Sequence, residues 1–250
     1  MKKIWIITLF PDYFKPLVET GVAGAALRGE RGSQFEIETV SLRKFSPKDF
    51  KGVDSSPFGG GAGMVLRADV LKNALIKGIV EPGGYGNDYK SKLHIIYPNP
   101  RGREWDNNYC QSFAENRWNN EKDFVFICGR YEGIDQRFID KYIDEEISIG
   151  DYILTGGEIA TLAIIDSSLR FHPGVLGNKT SHQEESFQGH LLEHPQYTRP
   201  REFEGADVPE ILLSGNHEKI KKYQEKERMR LTEEFRPDLW DKFKQSKEKK

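Results

Sequence analysis

Three glycine-rich segments carry the side chains and backbone best suited to hold a small ligand. They are Tyr97-Pro98-Asn99-Pro100-Arg101-Gly102, Cys128-Gly129-Arg130-Tyr131-Glu132-Gly133-Ile134-Asp135, and Ser148 to Glu158. Gly129, Gly133, Gly150, Gly156 and Gly157 let the backbone approach a ligand or take positive φ. Amides and carbonyls presented this way suit the edge of a flat nucleobase. The same glycines serve tight turns equally well, and the residues alone leave both readings open. No G-x-G-x-x-G follows a strand, and Gly59-Gly60-Gly61-Ala62-Gly63 leads into Met64 without the Gly-Lys-Ser/Thr of a P-loop. A serine nucleophile elbow is absent. His190 and His194 are spaced i, i+4 but read His-Leu-Leu-Glu-His, so no dedicated metal site is expected. A further polar set, Arg170, Glu184, Glu185, Ser186 and Glu193, lies where little hydrophobic periodicity explains it. Beside a nucleobase, a carboxylate can take a ring proton while a guanidinium stabilises charge on the adjacent carbonyl oxygen. Glu184 is read as part of a solvated acidic turn.

The elements that must position these groups alternate. Strands are expected at Ile4 to Leu9, Phe35 to Leu42, Leu93 to Tyr97, Phe124 to Cys128 and Ile147 to Ile149. Helices are expected at Tyr13 to Leu27, Met64 to Val80, a polar one over residues 105 to 119, Asp135 to Tyr142, and an apolar one at Glu158 to Leu169. This alternation predicts an α/β architecture with a mainly parallel sheet, whose ligands bind beyond the carboxyl ends of the strands. The three glycine-rich segments fall at those ends. Residues 46 to 63 and 81 to 92 read as loops. After Phe171 the pattern lapses, which predicts a catalytic domain over 1–171, a linker over 172–194 and a small helical domain over 195–250. In the last, Asn216 is suited to cap a helix and Pro237 to begin another.

The 250 residues include 37 Lys and Arg against 39 Asp and Glu, a formal charge of −2 that does not advertise a nucleic-acid binder. The total averages unlike parts, however. Residues 217 to 250 hold twelve Lys or Arg and eight Asp or Glu, a local excess of four (12 minus 8) concentrated in one segment. Two cysteines, Cys110 and Cys128, are too few for a disulfide framework and fit a cytoplasmic protein. Cys128 ends an apolar strand and is expected to be buried. No apolar run approaches the roughly 20 residues of a membrane span, and Met1 to Phe10 reads as a first strand rather than a leader.

Taken in order, Ile-Thr-Leu-Phe-Pro (7–11), Pro-Phe-Gly-Gly-Gly-Ala-Gly-Met (57–64), Cys-Gly-Arg-Tyr-Glu-Gly-Ile-Asp (128–135) and the long segment 143–158 resemble the bacterial tRNA (guanine-N1)-methyltransferase family of the SPOUT superfamily. Arg-Phe-His-Pro-Gly-Val-Leu-Gly (170–177), Pro-Gln-Tyr-Thr-Arg-Pro (195–200) and Leu-Leu-Ser-Gly-Asn-His (212–217) extend the likeness over nearly the whole chain. The resemblance implies a SPOUT-type sheet with a deep C-terminal trefoil knot in the catalytic domain, followed by a small α-helical domain. It implies S-adenosyl-L-methionine as methyl donor, held by Tyr97, Asn99, Pro100, Gly129, Tyr131, Glu132, Gly133, Ser148, Ile149, Gly150, Tyr152, Leu154, Gly156 and Gly157. It further implies magnesium for the chemical step, tRNA as substrate, and a homodimer with active sites at the subunit interface. The expected product is N1-methylguanosine at position 37, beside the anticodon and after guanosine 36.

In the family pattern Glu-Asp-Ser-Phe, the aspartate is the base that removes the guanine N1 proton; here Glu185, one methylene longer, occupies that position. Arg170 matches the arginine placed to stabilise charge on guanine O6, and Ser186 and Glu193 fall at substrate-facing positions. A second departure is Pro98-Asn99-Pro100, where relatives more often have Leu-Ser-Pro; the added proline removes a backbone donor and stiffens the loop. The alternatives are an RNA-binding SPOUT protein without methyl transfer and a SPOUT methyltransferase for another RNA position.

Overall fold

The computed structural model describes residues 2–30, 35–47, 52–118, 120–172, 175 and 185–248. The chain divides into two units, Met1–Gly177 and Asn178–Lys250.

The first unit opens with β1 (Lys2–Thr8), whose Ile4, Ile6 and Ile7 are almost wholly excluded from solvent. The helical stretch expected next is broken in two, α1 (Lys15–Glu19) and α2 (Gly21–Leu27). Thr20 between them is extended and Gly21 takes φ 69°, so the turn breaks where glycine permits it. Then come β2 (Phe35–Ser41), the two-residue strands β3 (Asp54–Ser55) and β4 (Val65–Leu66), and α3 (Ala68–Leu75). The helix expected from Met64 therefore starts later. Val65 and Leu66 are extended because Leu66 donates to Gly133 O (3.0 Å) and accepts from Asp135 N (3.0 Å). A tertiary ladder has overridden a helical pattern.

After α4 (Tyr89–Lys92) and β5 (Leu93–Glu104) follow α5 (Asn107–Phe113), β6 (Asp123–Ile127), α6 (Gln136–Tyr142), β7 (Glu145–Ser148) and α7 (Gly157–Leu169). The segment expected to be a polar helix buries Tyr109, Cys110, Phe113 and Trp118, so only its outer face is polar. The five long strands form one sheet in the order β2-β1-β6-β5-β7, every pairing parallel. Trp5, Ile7, Val125 and Ile127 pack on one face with α3 and α6; Ile4, Ile6, Phe124 and Phe126 pack on the other with α5 and α7. Covering both faces is what a parallel sheet requires. Burying each large side chain contributes about 1.5–3 kcal/mol.

β5 continues past Tyr97 in an irregular way. Pro98 pairs with Ile147, the chain bows outward, and Arg103 returns to pair with the same Ile147. Gly102 lies so close to the Glu146–Ile147 backbone that a Cβ there would overlap it. The crossing thus depends on a missing side chain.

In the second unit, β8 (Glu202–Phe203) and β9 (Ala206–Asp207) make a small hairpin, followed by α8 (Glu210–Leu213), α9 (His217–Phe235) and α10 (Pro237–Glu248). Asn216 caps α9 by accepting from Lys219 N (3.1 Å), and Pro237 opens α10, both as expected. The hairpin and α8 had no counterpart in the sequence reading; each is too short to show a period. Among the described residues no helix is long and apolar enough to cross a membrane.

Candidate cofactor and active site

The carboxyl ends of the neighbouring strands β6, β5 and β7 open into one cavity of about 260 Å³, near the lower end for small-molecule sites. All fourteen residues expected to hold a cofactor line it, together with Pro98, Arg130, Ile147, Ile153 and Ala160. The geometry therefore gathers three segments that are distant in sequence.

Each segment is fixed by specific bonds. Asn99 donates to Glu146 Oε2 (2.7 Å) and to Tyr97 O (3.2 Å), and its own side-chain oxygen accepts from Arg101 N (2.8 Å). The 129–133 segment turns back at Gly133, φ 112°, where any other residue would be strained. It is tied to β4 and the residue before it, since Leu66 N donates to Gly133 O (3.0 Å) and Glu132 N to Met64 O (3.0 Å). Gly157 N donates to Gly129 O (2.8 Å), and a Cβ on Gly157 would press on the Cys128 and Gly129 backbone. Gly157 thus lets the start of α7 meet the end of β6, while the bare Gly129 leaves room for the Tyr97 ring. Tyr131, with φ 58°, and Tyr152 are more than half exposed. Tyr97 is the opposite case. Burial pushes its hydroxyl pKa up, and the ring lies against Gly129.

Behind the cavity wall lies a charged group that the sequence reading passed over. Glu158, wholly buried in the first turn of α7, accepts from Thr8 Oγ1 (2.7 Å) and pairs with Arg130 Nη2 (2.8 Å). Arg130 also donates to Thr155 O (3.1 Å) and lies 4.5 Å from the Phe10 ring centre. Burial alone would lower the Arg130 pKa, but its contacts with Glu158 and Tyr13 overcome this and raise it. A carboxylate directly after two glycines, at the head of an otherwise apolar helix, was the available signal.

Cys128 is buried as expected, and desolvation pushes its thiol pKa far up, so it is no nucleophile. Cys110 is likewise raised by burial, to about 11.

The proposed catalytic pair is divided between the units. Arg170 follows α7 in the first; Glu185, Ser186 and Glu193 belong to the second. Glu193 N donates to Ser186 Oγ (2.9 Å), and Glu193 Oε1 accepts from Gln196 Nε2 (2.6 Å). The turn carrying Glu185 is pinned to α9: Leu192 N donates to Thr232 Oγ1 (2.8 Å), while Arg228 donates to Leu192 O (3.1 Å) and Gln188 O (3.3 Å). Glu184 lies outside the described residues. No three His, Cys, Asp or Glu side chains gather among the described residues as a metal centre would require.

Residues 1–242 match the family described as tRNA (Guanine-1)-methyltransferase TrmD. The chain is 44% identical over 249 residues to the tRNA (guanine-N(1)-)-methyltransferase of Ruegeria sp. (strain TM1040), covering 99% of this chain and 95% of the relative. It is 44% identical over 246 residues to the protein of the same name from Clostridium perfringens (strain SM101 / Type A), covering 98% and 96%. Against that of Lactobacillus johnsonii (strain CNCM I-12250 / La1 / NCC 533) it is 44% identical over 237 residues, covering 95% and 90%. With the match running through the parallel sheet, the cavity loops and α9 alike, the chain belongs to the TrmD family of tRNA (guanine-N1)-methyltransferases.

Proposed function

We propose that this protein transfers a methyl group from S-adenosyl-L-methionine to guanosine N1 at position 37 of tRNA, after guanosine 36, in the cytoplasm. The observation that carries the reading is the convergence of the three glycine-rich segments on one cavity at the carboxyl edge of the sheet. Its wall fits the cofactor: a buried tyrosine, Tyr97, packed on Gly129 where a Cβ would strike its ring, and apolar Leu154 and Ile149. Bound there, the cofactor supplies a methyl group made electrophilic by its sulfonium.

The protein's own task is to expose the nucleophile, because guanine N1 carries a proton at neutral pH. Glu185 accepts that proton, and the Arg170 guanidinium offsets the negative charge that then moves onto O6. Ser186 and Glu193 hold the substrate beside them. An antiparallel homodimer completes each site with the partner's linker and C-terminal domain. A trefoil knot would account for the bow of β5 around Ile147. Magnesium needs few protein ligands and keeps much of its water.

The test is transfer of tritium from labelled cofactor to undermodified tRNA, followed by mapping of the modified nucleotide. Incorporation at guanosine 37 is expected. Intact tRNA binding without incorporation would instead favour an RNA-binding protein, and label elsewhere a different RNA target.

A further inference from the structure

Arg130 and Glu132 are the charged residues among those that line the cavity, and the Arg130 guanidinium turns from it toward Glu158, Thr155 O and the Phe10 ring. Behind the wall, Glu158 is fully buried and pairs with Arg130 at 2.8 Å. The nearby Arg101 and Glu146 also pair, at 3.4 Å, and add no net charge. Counting Arg130 as +1, Glu132 as −1 and Glu158 as −1, the site carries one net negative charge. S-Adenosyl-L-methionine carries a sulfonium, an ammonium and one carboxylate, net +1. Loss of the methyl group leaves S-adenosylhomocysteine, a thioether of net zero.

A buried ion pair is rarely needed for stability, since a well-packed apolar pair serves as well. The charge itself therefore asks for a role. Resting on the cofactor reading above, we propose that Glu158 is a specificity-determining residue: by neutralising Arg130 it lets the cavity accept the cationic methyl donor and release the neutral product. Arg130 is retained for its geometry. It accounts for the Thr155 carbonyl and lies along Phe10, tying the 129–133 segment to the loop before α7. A cation there would repel the sulfonium unless a carboxylate accompanied it.

The experiment is calorimetric titration of the full chain with S-adenosyl-L-methionine and, separately, S-adenosylhomocysteine. Glu158→Gln is nearly isosteric, and its amide oxygen can still accept from Thr8. It is expected to weaken binding of the methyl donor about tenfold and of the product less than about twofold, as befits one charge at close range in a partly screened site. The double variant Arg130→Gln/Glu158→Gln removes both charges and returns the ratio of the two affinities to about the wild-type value. Should Glu158→Gln not fold, Arg130→Gln replaces it, and the ratio then moves toward the methyl donor. Equal losses for the two ligands, or an unchanged ratio in Arg130→Gln, overturn the inference and leave the pair a structural one. Wild-type protein that binds neither ligand would instead sink the cofactor reading itself.

Discussion

Glu185 is the residue on which turnover should depend most sharply. Its carboxylate must be charged to take the N1 proton, so Glu185→Gln is expected to lower single-turnover methylation at least about 100-fold. Cofactor affinity should stay within about twofold, since the residues that line the cavity all belong to the first unit. Glu185→Asp shortens the reach while keeping the charge and should retain measurable activity. Equal rates for Glu185→Gln and wild type would mean another group is the base. A second residue-scale prediction concerns Lys2, far from this chemistry. Its ammonium donates to Asn120 O (3.0 Å) and sits 4.7 Å from the Phe124 ring centre. Burial, opposed in part by Asp123, lowers its pKa to about 8. Below that pH folded and unfolded chains both hold the proton, and the folded state bears the full cost. Between about 8 and 10.5 only the unfolded chain holds it, so stability gains with rising pH across that window. Tyr85, whose pKa burial raises, favours the fold less as pH climbs beyond 10 and limits the window above. Urea midpoints measured from pH 7 to 10 should rise in wild type relative to Lys2→Met; parallel curves would place the titration elsewhere.

At the scale of elements, the turn that carries Glu185 is held by α9 rather than by its own sequence. Thr232 and Arg228 bond its backbone, and Thr232 is wholly buried. Arg228→Ala should therefore cost about 1 kcal/mol of stability, with methylation falling about tenfold and cofactor affinity unchanged. A matching loss of cofactor affinity would show that α9 supports the cavity too. These anchors also mark where sequence reading stopped. The α/β class was legible because the buried apolar runs of β1, β5 and β6 declare themselves, whereas β7 met its expected range only at Ile147 and Ser148. The three cavity segments were legible as glycine-rich strand ends, and the resemblance then assigned them. What was not legible depended on contacts between distant residues. The extended Val65–Leu66 and the return of Arg103 to Ile147 each follow from a partner elsewhere in the chain, whereas the break at Gly21 rests on a positive φ that the helical pattern does not announce. Glu158 was missed for the same reason, since neither Thr8 nor Arg130 is its neighbour in sequence.

For the whole molecule, the two binding events should differ in their response to salt. The cofactor has a single net charge and enters a small cavity, whereas tRNA presents a line of phosphates to an exposed surface. Lysines 242, 244 and 247 lie on α10, Lys247 in its last turn, and residues 217 to 250 as a whole carry the excess of four positives. Each phosphate neutralised by such a side chain releases condensed counterions. tRNA affinity is therefore expected to fall at least about tenfold between about 50 and 200 mM monovalent salt. Cofactor affinity should change less than about threefold over the same range, because a ligand of one net charge has no line of condensed counterions to release. Replacing Lys242, Lys244 and Lys247 together by Gln should flatten the tRNA slope without altering that of the cofactor. Parallel titrations by filter binding and calorimetry read both. If the triple variant kept the wild-type slope, the contact with tRNA would have to come from another face, and the near-neutral charge of the chain would need a different explanation than the uneven distribution of its lysines.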